Sequence, residues 1–372
     1  MSASLLRVRR ALALGAVALV LAAPASAAPP EVSARAYLVE NGATGEVLAA
    51  FQARRRVPIA SITKLMTVLV ALEKARPELH VTVDPVAASV GESTIDLRAG
   101  ERLTVQELVE AALIQSANDA AWALAAGVGD RDVSSFVARM NAKARELGLR
   151  DTRFVRPDGL DVSGHVSSAR DVTLLARVAM RNPVIRSIVD ERSATITGGR
   201  RLHTWNDLLG TVHGTIGVKT GHTAAAGWSQ VAAVNAPGFV LYATLLGSPT
   251  RARRNTDLAA LIRWGLSLYS PVEVVSRSRV YARADVGYGR EPLAIVASQR
   301  VVRPVRVARP LREVVVAPLV ARLPVRKNER VGMVRVYDGK RLVAESPLVA
   351  TRSVERPGLV SRAWWRVRSI FS

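Results

Sequence analysis

The stretch SITKLMTVLVALEKA, residues 61–75, is apolar on most faces. A helix made from it has no side to offer to water and must lie inside its domain, so any fold for this chain is built around it. Near the head of the run stands Lys64, three residues after Ser61. The chain has 52 basic residues, of which six are lysine (Lys64, Lys74, Lys143, Lys219, Lys327 and Lys340), leaving 46 arginines. A desolvated lysine can give up its proton, whereas arginine stays charged. Three-residue spacing sets both side chains on one helical face. The stretch therefore suggests a serine whose base is a lysine.

Residues 1–28 read as a leader. Arg7, Arg9 and Arg10 precede an apolar run from Ala11 to Ala22, and Ala25-Ser26-Ala27 is a small-residue cleavage site. That is the pattern of a secretory signal peptide, and the apolar run is too short to span a bilayer comfortably. With no cysteine, an exported fold rests on its core rather than on disulfides, and thiol catalysis and cysteine metal sites are excluded. The remaining chain is long enough for about two domains.

ARAYLVENGATGEVLAAF predicts two strands around an Asn41-Gly42 to Gly45 turn. LTVQELVEAAL opens on Thr104 and Glu107, a capping-box pattern, and SSARDVTLLARVAM repeats it with Ser168 and Asp171. After residue 193 the period changes to that of strands: SATITGG, GTIGVKTG, WSQVAAV and GFVLYATLL, with a turn at Asn235–Gly238. The helix NTDLAALIRWGLSLY closes this part. Strands, then helices, then strands predict one α/β (α+β) domain with a mainly antiparallel sheet. From Ser270-Pro271 onward, short strands alternate with Pro and Gly turns, as in a small all-β domain. The expected divisions are 1–28, a signal peptide; 29–270, the catalytic domain; 271–352, the all-β domain; and 353–372, an amphipathic helix. In that last segment Val360, Ala363, Trp364, Val367, Ile370 and Phe371 share one helical face, which suits a helix lying in an anionic membrane surface.

Two further stretches join the first. QSAND supplies Ser116 and Asn118 between two helices, and VKTGHT supplies Lys219, Thr220 and Gly221 on a strand. The ordered set S-x-x-K, S-x-N and K-T-G marks active-serine penicillin-binding proteins and β-lactamases. Ser61 would attack, with the helix start steadying the charge that develops there. Burial and a second cation, Lys219, would lower Lys64 towards a base's range. Ser116 could relay a proton to the leaving amine and Asn118 could hold a substrate amide, although both could equally be helix caps. The strand after Lys219 can pair with an extended peptide, and the N–H groups of Ser61 and His222 can form an oxyanion hole.

The chain resembles the low-molecular-mass penicillin-binding proteins, the serine-type D-alanyl-D-alanine carboxypeptidases of the S11 peptidase family. PIASITKLMT, DGLDVSGHVSSARD, VKTGHTAAAGW and GSPTRARRNTDLAALIRWG carry the resemblance, which covers nearly the whole mature chain. It implies a β-rich second domain, a membrane-lying terminal helix and no cofactor. It also implies a substrate that is a peptidoglycan stem peptide ending in D-Ala-D-Ala, with β-lactams as covalent inhibitors. In it Arg254 occupies the place of a basic residue near the substrate's terminal carboxylate, a role a surface arginine beside Arg251 and Arg253 need not have. Ala224–Ala226 departs from relatives that often carry an acidic residue there.

The formal charge of +21 is uneven: residues 271–372 hold 21 Arg/Lys and 8 Asp/Glu. A basic end suits an anionic polymer or lipid. No nucleic-acid module is present. Five histidines (His80, His165, His203, His213, His222) give no metal spacing. A class A β-lactamase would need a glutamate in E-x-x-x-N beyond Asn118. Glu146 and Glu191, the glutamates between Asn118 and Lys219, both lack it. A D,D-endopeptidase that cuts crosslinks uses the same site and stays open, whereas intact Ser61, Lys64 and Lys219 argue against a non-catalytic wall-binding protein.

Overall fold

The computed structural model describes residues 12–19 (as backbone), 28–129, 132–307 and 309–358. The chain divides between Ser267 and Leu268 into two compact units. That is three residues before the expected boundary, because the segment read as the end of a helix leaves it at Ser267 and continues as the strand Tyr269–Val275.

The first unit holds a five-stranded antiparallel sheet. Its order is Glu46–Phe51, Ala36–Asn41, Phe239–Ser248, Gly227–Ala236 and Thr215–Thr223. The last of these, which carries Lys219 to His222, is an edge strand and leaves one side of its backbone free to pair. Helices cover both faces. Thr173, on the helix Ala169–Ala179, hydrogen-bonds Thr244 at 2.6 Å. A Cβ on Gly265, in the helix Arg251–Ser267, would meet Leu241 at 3.1 Å. Leu241 and Thr244 differ in parity along one strand, so the two helices lie on opposite faces.

The apolar run forms a short 3-10 turn, Ala60–Thr63, followed by the α-helix Lys64–Lys74. Every residue from Lys64 to Ala71 is buried, as a run without a polar face requires. The helix packs among Asn118–Val128, Val133–Glu146 and Ala169–Ala179. The Thr104 capping box closes in both directions: Glu107 N donates to Thr104 Oγ1 at 3.2 Å and Thr104 N to Glu107 Oε2 at 2.8 Å. At Ser168 only half of one forms, since Asp171 turns its carboxylate to Asp151 N at 2.7 Å and Thr152 at 2.8 Å.

In the second unit a sheet runs in the order Leu311–Pro318, Arg330–Asp338, Arg341–Ala350, Leu293–Ala297, Val280–Ala284. Leu12–Leu19, inside the expected leader, lies antiparallel beside Leu311–Pro318. A second layer pairs Tyr269–Val275 with Val301–Arg306. Val275 and Val305 from this layer share a core with Ile295, Val334 and Leu348 from the sheet. Ser353–Gly358, expected to begin a helix, is not helical: Val354 pairs with Val325 through hydrogen bonds of 2.8 and 3.0 Å. The rest of that expected helix, and the leader's charged and cleavage segments, lie outside the described residues. No helix among the described residues is long and apolar enough to cross a membrane.

Candidate active site

Three segments far apart in sequence converge on Ser61. The turn that carries it is fixed from both sides by glycines. A Cβ on Gly221 would lie 2.7 Å from the Ile59 carbonyl oxygen and 3.1 Å from Ser61 N. A Cβ on Gly159, at φ +88°, would lie 2.1 Å from the Ala60 oxygen. The edge strand can therefore lie against the turn only because K-T-G ends in glycine. That approach brings the K-T-G glycine against the backbone nitrogen of Ser61.

Lys64 is fully buried and its Nζ has three partners: Ser61 Oγ at 2.7 Å, Asn118 Oδ1 at 2.7 Å and the Asp158 carbonyl at 3.0 Å. Two of these are oxygens that only accept. A neutral amine with two hydrogens satisfies both and turns its lone pair to the serine hydroxyl. Burial pushes Lys64 down to about 7, against the opposing pull of Asp158, Asp119 and Glu92. Burial is thus the main cause, as expected. The second cation acts in the other direction, since burial and the charges of Lys64 and Arg254 hold Lys219 well below the usual lysine range.

Lys219 Nζ donates to Ser116 Oγ at 2.9 Å and to its neighbour's carbonyl, Thr220 O, at 3.0 Å. Ser116 follows a single π turn, Ala111–Gln115, and adopts a left-handed backbone, φ 66°. This break in the helical run points its hydroxyl into the site, as π turns often do at functional positions. Ser116 closes the π turn as its left-handed C-cap residue while its hydroxyl goes to Lys219, so it does both; Asn118 is not a cap, since the cap position before Asn118–Val128 is Ala117, with no side-chain bond. Asn118 instead bridges Lys64 and Gly91, its Nδ2 donating to the Gly91 carbonyl at 2.9 Å.

Of the three neighbouring arginines, Arg254 is the one that lines the cavity with Ser61, Ser116 and Thr220. It is 1% exposed, and its Nη2 donates to Asp207 Oδ2 at 2.9 Å and to Asn255 Oδ1 at 2.7 Å. Burial lowers it to about 10, opposed by Asp207, so it keeps its charge at neutral pH. Arg251 is more exposed, also binds Asp207, and lies over the Trp205 ring at 5.2 Å. Arg253 is exposed. The cavity, about 210 Å³, has aromatic walls in Trp205 and Trp228, and the His222 ring stacks on Trp228 at 4.0 Å. His222 lines the cavity and turns its ring to this wall.

Several residues of this arrangement went unread in the sequence. Asp158 is fully buried; burial alone would raise it, but the Arg156 fork at 2.5 and 2.7 Å and Lys64 keep it below the usual carboxylate range. Buried His165, held down to about 4 by its burial, accepts from Val155 N through Nδ1 at 3.1 Å, and its Nε2 lies 2.8 Å from Thr63 Oγ1. It braces the loop 155–165 against the serine turn. DGLDVSGHVSSARD was the available signal for these two neighbourhoods.

Residues 23–250 match the family model described as D-alanyl-D-alanine carboxypeptidase, and residues 269–356 match that of the penicillin-binding protein 5 C-terminal domain. D-alanyl-D-alanine carboxypeptidase DacD of Salmonella typhimurium is 31% identical over 356 residues, 90% of each chain. DacB2 of Mycobacterium tuberculosis is 33% identical over 265 residues, 68% of this chain and 89% of that one. The structure of penicillin binding protein 5 from Haemophilus influenzae matches with a TM-score of 0.65 and 25% identity, covering 89% of this chain and all of the other. The chain belongs to the D-alanyl-D-alanine carboxypeptidase family, with the penicillin-binding protein 5 type of C-terminal domain.

Proposed function

We propose that this protein is a serine-type D-Ala-D-Ala carboxypeptidase that removes the terminal D-alanine from peptidoglycan stem peptides through an acyl-enzyme on Ser61. The observation that carries the reading is Lys64 Nζ, buried, lowered to about 7 and 2.7 Å from Ser61 Oγ.

A stem peptide ending in D-Ala-D-Ala pairs with the open edge of Thr215–Thr223. Its terminal carboxylate is drawn to Lys219, Thr220 and Arg254. Lys64 takes the Ser61 proton as Oγ attacks the penultimate carbonyl. The oxyanion that forms meets the N–H groups of Ser61 and His222. Ser116, tied to Lys219, passes its proton to the departing D-alanine nitrogen and takes in its place the proton that Lys64 received from Ser61, which leaves Lys64 neutral. Water then attacks the ester with Lys64 again as base, which restores Ser61 and releases the shortened peptide. A β-lactam acylates the same oxygen, and its opened ring stays attached.

Export and a peripheral hold on the outer face of the cytoplasmic membrane complete the reading. The leader pattern and the apolar stripe near the carboxy terminus support them. The protein lacking residues 1–28 is expected to release D-alanine from a D-Ala-D-Ala peptide and to take up fluorescent penicillin. Ser61→Ala should abolish both. Penicillin labelling that persists in Ser61→Ala would overturn the assignment.

A further inference from the structure

Gln230 is fully buried in the interior strand Gly227–Ala236, a place that ordinarily takes an apolar side chain. It stands directly opposite Thr220 of K-T-G, and directly opposed residues share a face of the sheet. Its side chain therefore lies on the face of Thr220 and, two residues along, Trp228, both of which line the cavity. There its Nε2 donates to Asn206 Oδ1 at 2.7 Å. Gln230 Oε1 and Asn206 Nδ2 are buried with no hydrogen-bond partner among the described residues. Turning the amides does not mend this. Asn206 Oδ1 also accepts from Leu208 N at 3.1 Å, and a turned Gln230 would set oxygen against that oxygen. Unmatched buried amide groups destabilise a fold, so a pair kept in a core asks for a reason.

The neighbours of Asn206 supply one. Trp205 lines the cavity, and its carbonyl accepts from Arg254 Nη2 at 3.4 Å. Asp207 Oδ2 accepts from the same nitrogen at 2.9 Å. We infer that Gln230 is a positioning residue for the substrate's terminal carboxylate: through Asn206 it fixes Asp207, and through Asp207 it aims the guanidinium of Arg254. The inference rests on the carboxypeptidase reading above. Lys219 and Thr220 reach the carboxylate from the strand, whereas Arg254 reaches it from the helix Arg251–Ser267. Asn255, the other partner of Arg254, lies on that same helix and cannot set its distance from the strand. The Trp228 ring, 5.8 Å from the guanidinium carbon, gives that group no hydrogen-bond direction. The bond from Gln230 to Asn206 ties the loop that holds Arg254 to the sheet beside Thr220.

Gln230→Met tests this, since methionine keeps the length of the side chain and removes both its donor and its unmatched acceptor. Two substrates are compared: a peptide ending in D-Ala-D-Ala, and an acyl-D-Ala p-nitrophenyl ester, whose leaving group has no carboxylate. KM for the peptide is expected to rise about five- to ten-fold, the range of one hydrogen bond, with kcat changed less than about two-fold. Turnover of the ester should stay as in the wild type, and the unfolding midpoint should not fall. In an Arg254→Ala background, with no guanidinium left to aim, Gln230→Met should add less than about two-fold. Gln230→Leu should follow the same pattern and serves if the methionine variant does not fold. An unchanged KM overturns the inference, as does equal slowing of peptide and ester. The full rise in KM persisting in Arg254→Ala also overturns it, because Gln230 would then act independently of Arg254. If the wild-type enzyme cleaves the ester but releases no D-alanine from the peptide, the carboxypeptidase reading itself fails and this one falls with it.

Discussion

Asn118 accepts from Lys64: Nζ donates to Oδ1 at 2.7 Å. With the Asp158 carbonyl, this fixes both amine hydrogens and leaves the lone pair for the serine. Because burial sets Lys64 at about 7, the neutral, basic form grows as pH rises through that value. The acylation rate by penicillin is therefore expected to climb with pH and reach half its maximum near pH 7. Asn118→Ala should slow acylation, by roughly 10- to 100-fold, since Lys64 loses one of its orienting partners. Lys64→Arg should be nearly inactive, because arginine keeps its proton. A flat profile between pH 6 and 8, or substantial activity in Lys64→Arg, would remove Lys64 as the base.

Gly221→Ala tests the approach of strand to turn. The added methyl would press on the Ile59 carbonyl at 2.7 Å, both of them backbone-bound and unable to swing aside. The strand must retreat, and with it the His222 N–H. Loss of one oxyanion donor costs about 100- to 1,000-fold in other enzymes of this chemistry. Stopped-flow acylation should show a loss of that order with the unfolding midpoint little changed. Near-normal acylation would mean that His222 N–H is not part of the hole.

Much of this was legible in the sequence because acyl transfer fixes residue types at fixed spacings. Ser61 and Lys64 lie one helical turn apart, and Lys219, Thr220 and Gly221 are consecutive. The apolar run announced its own burial for the same reason: no face of it can meet water. Glu92 and Trp205 carry no such local mark and reach the site only through tertiary folding. The π turn before Ser116 was equally hidden, because AALIQ has ordinary helix formers and the widened turn is set by what packs around it. The strand Tyr269–Val275 was missed because the apolar period of the preceding helix runs on through Leu268 and Tyr269.

Arg254→Ala should reduce kcat/KM for the peptide by about 10- to 100-fold, the range of a charge-assisted hydrogen bond to the terminal carboxylate. Penicillin acylation should fall less if Arg254 steadies that carboxylate mainly in the peptide complex. The variant should also melt lower, because Asp207 loses its bond from a buried partner. Arg254→Lys separates the two effects, keeping charge while losing the fork. Equal, small changes on peptide and penicillin would return Arg254 to a structural role.

Glu107 ties the Thr104 capping box to the turn at Thr197, accepting from both Thr197 N at 3.0 Å and the Thr197 hydroxyl. Burial would raise its carboxyl, but the bonds from Thr197 and Thr104 outweigh this and hold it at about 2. A carboxylate depressed in the folded state contributes stability that is full above its unfolded value, near 4.5, and is lost as pH falls through about 2. Thr104→Ala is expected to cost about 1 kcal/mol at neutral pH, the usual loss for an N-cap. In urea unfolding, the difference between variant and parent should shrink across that acid window. A difference that stays constant from pH 5 to 2 would show that Glu107 does not answer to Thr104.

The last expectation concerns GLVSRAWWRVRSIFS, residues 358–372. Val360, Ala363, Trp364, Val367, Ile370 and Phe371 recur at three- and four-residue spacing, with Arg362, Arg366 and Ser369 between them. About fifteen residues are too few to span a bilayer, yet enough for a helix lying in its interface, with tryptophans at headgroup level and arginines drawing on anionic lipid. The mature protein should sediment with vesicles containing anionic lipid and remain in solution with neutral ones. Deleting residues 358–372 should abolish sedimentation and leave D-alanine release intact, because Ser61, Lys64, Ser116 and Lys219 all lie in the unit that ends at Ser267. Equal binding by the truncated and full-length proteins would shift the role to the basic β domain, whose arginines are numerous enough to meet an anionic surface without a helix.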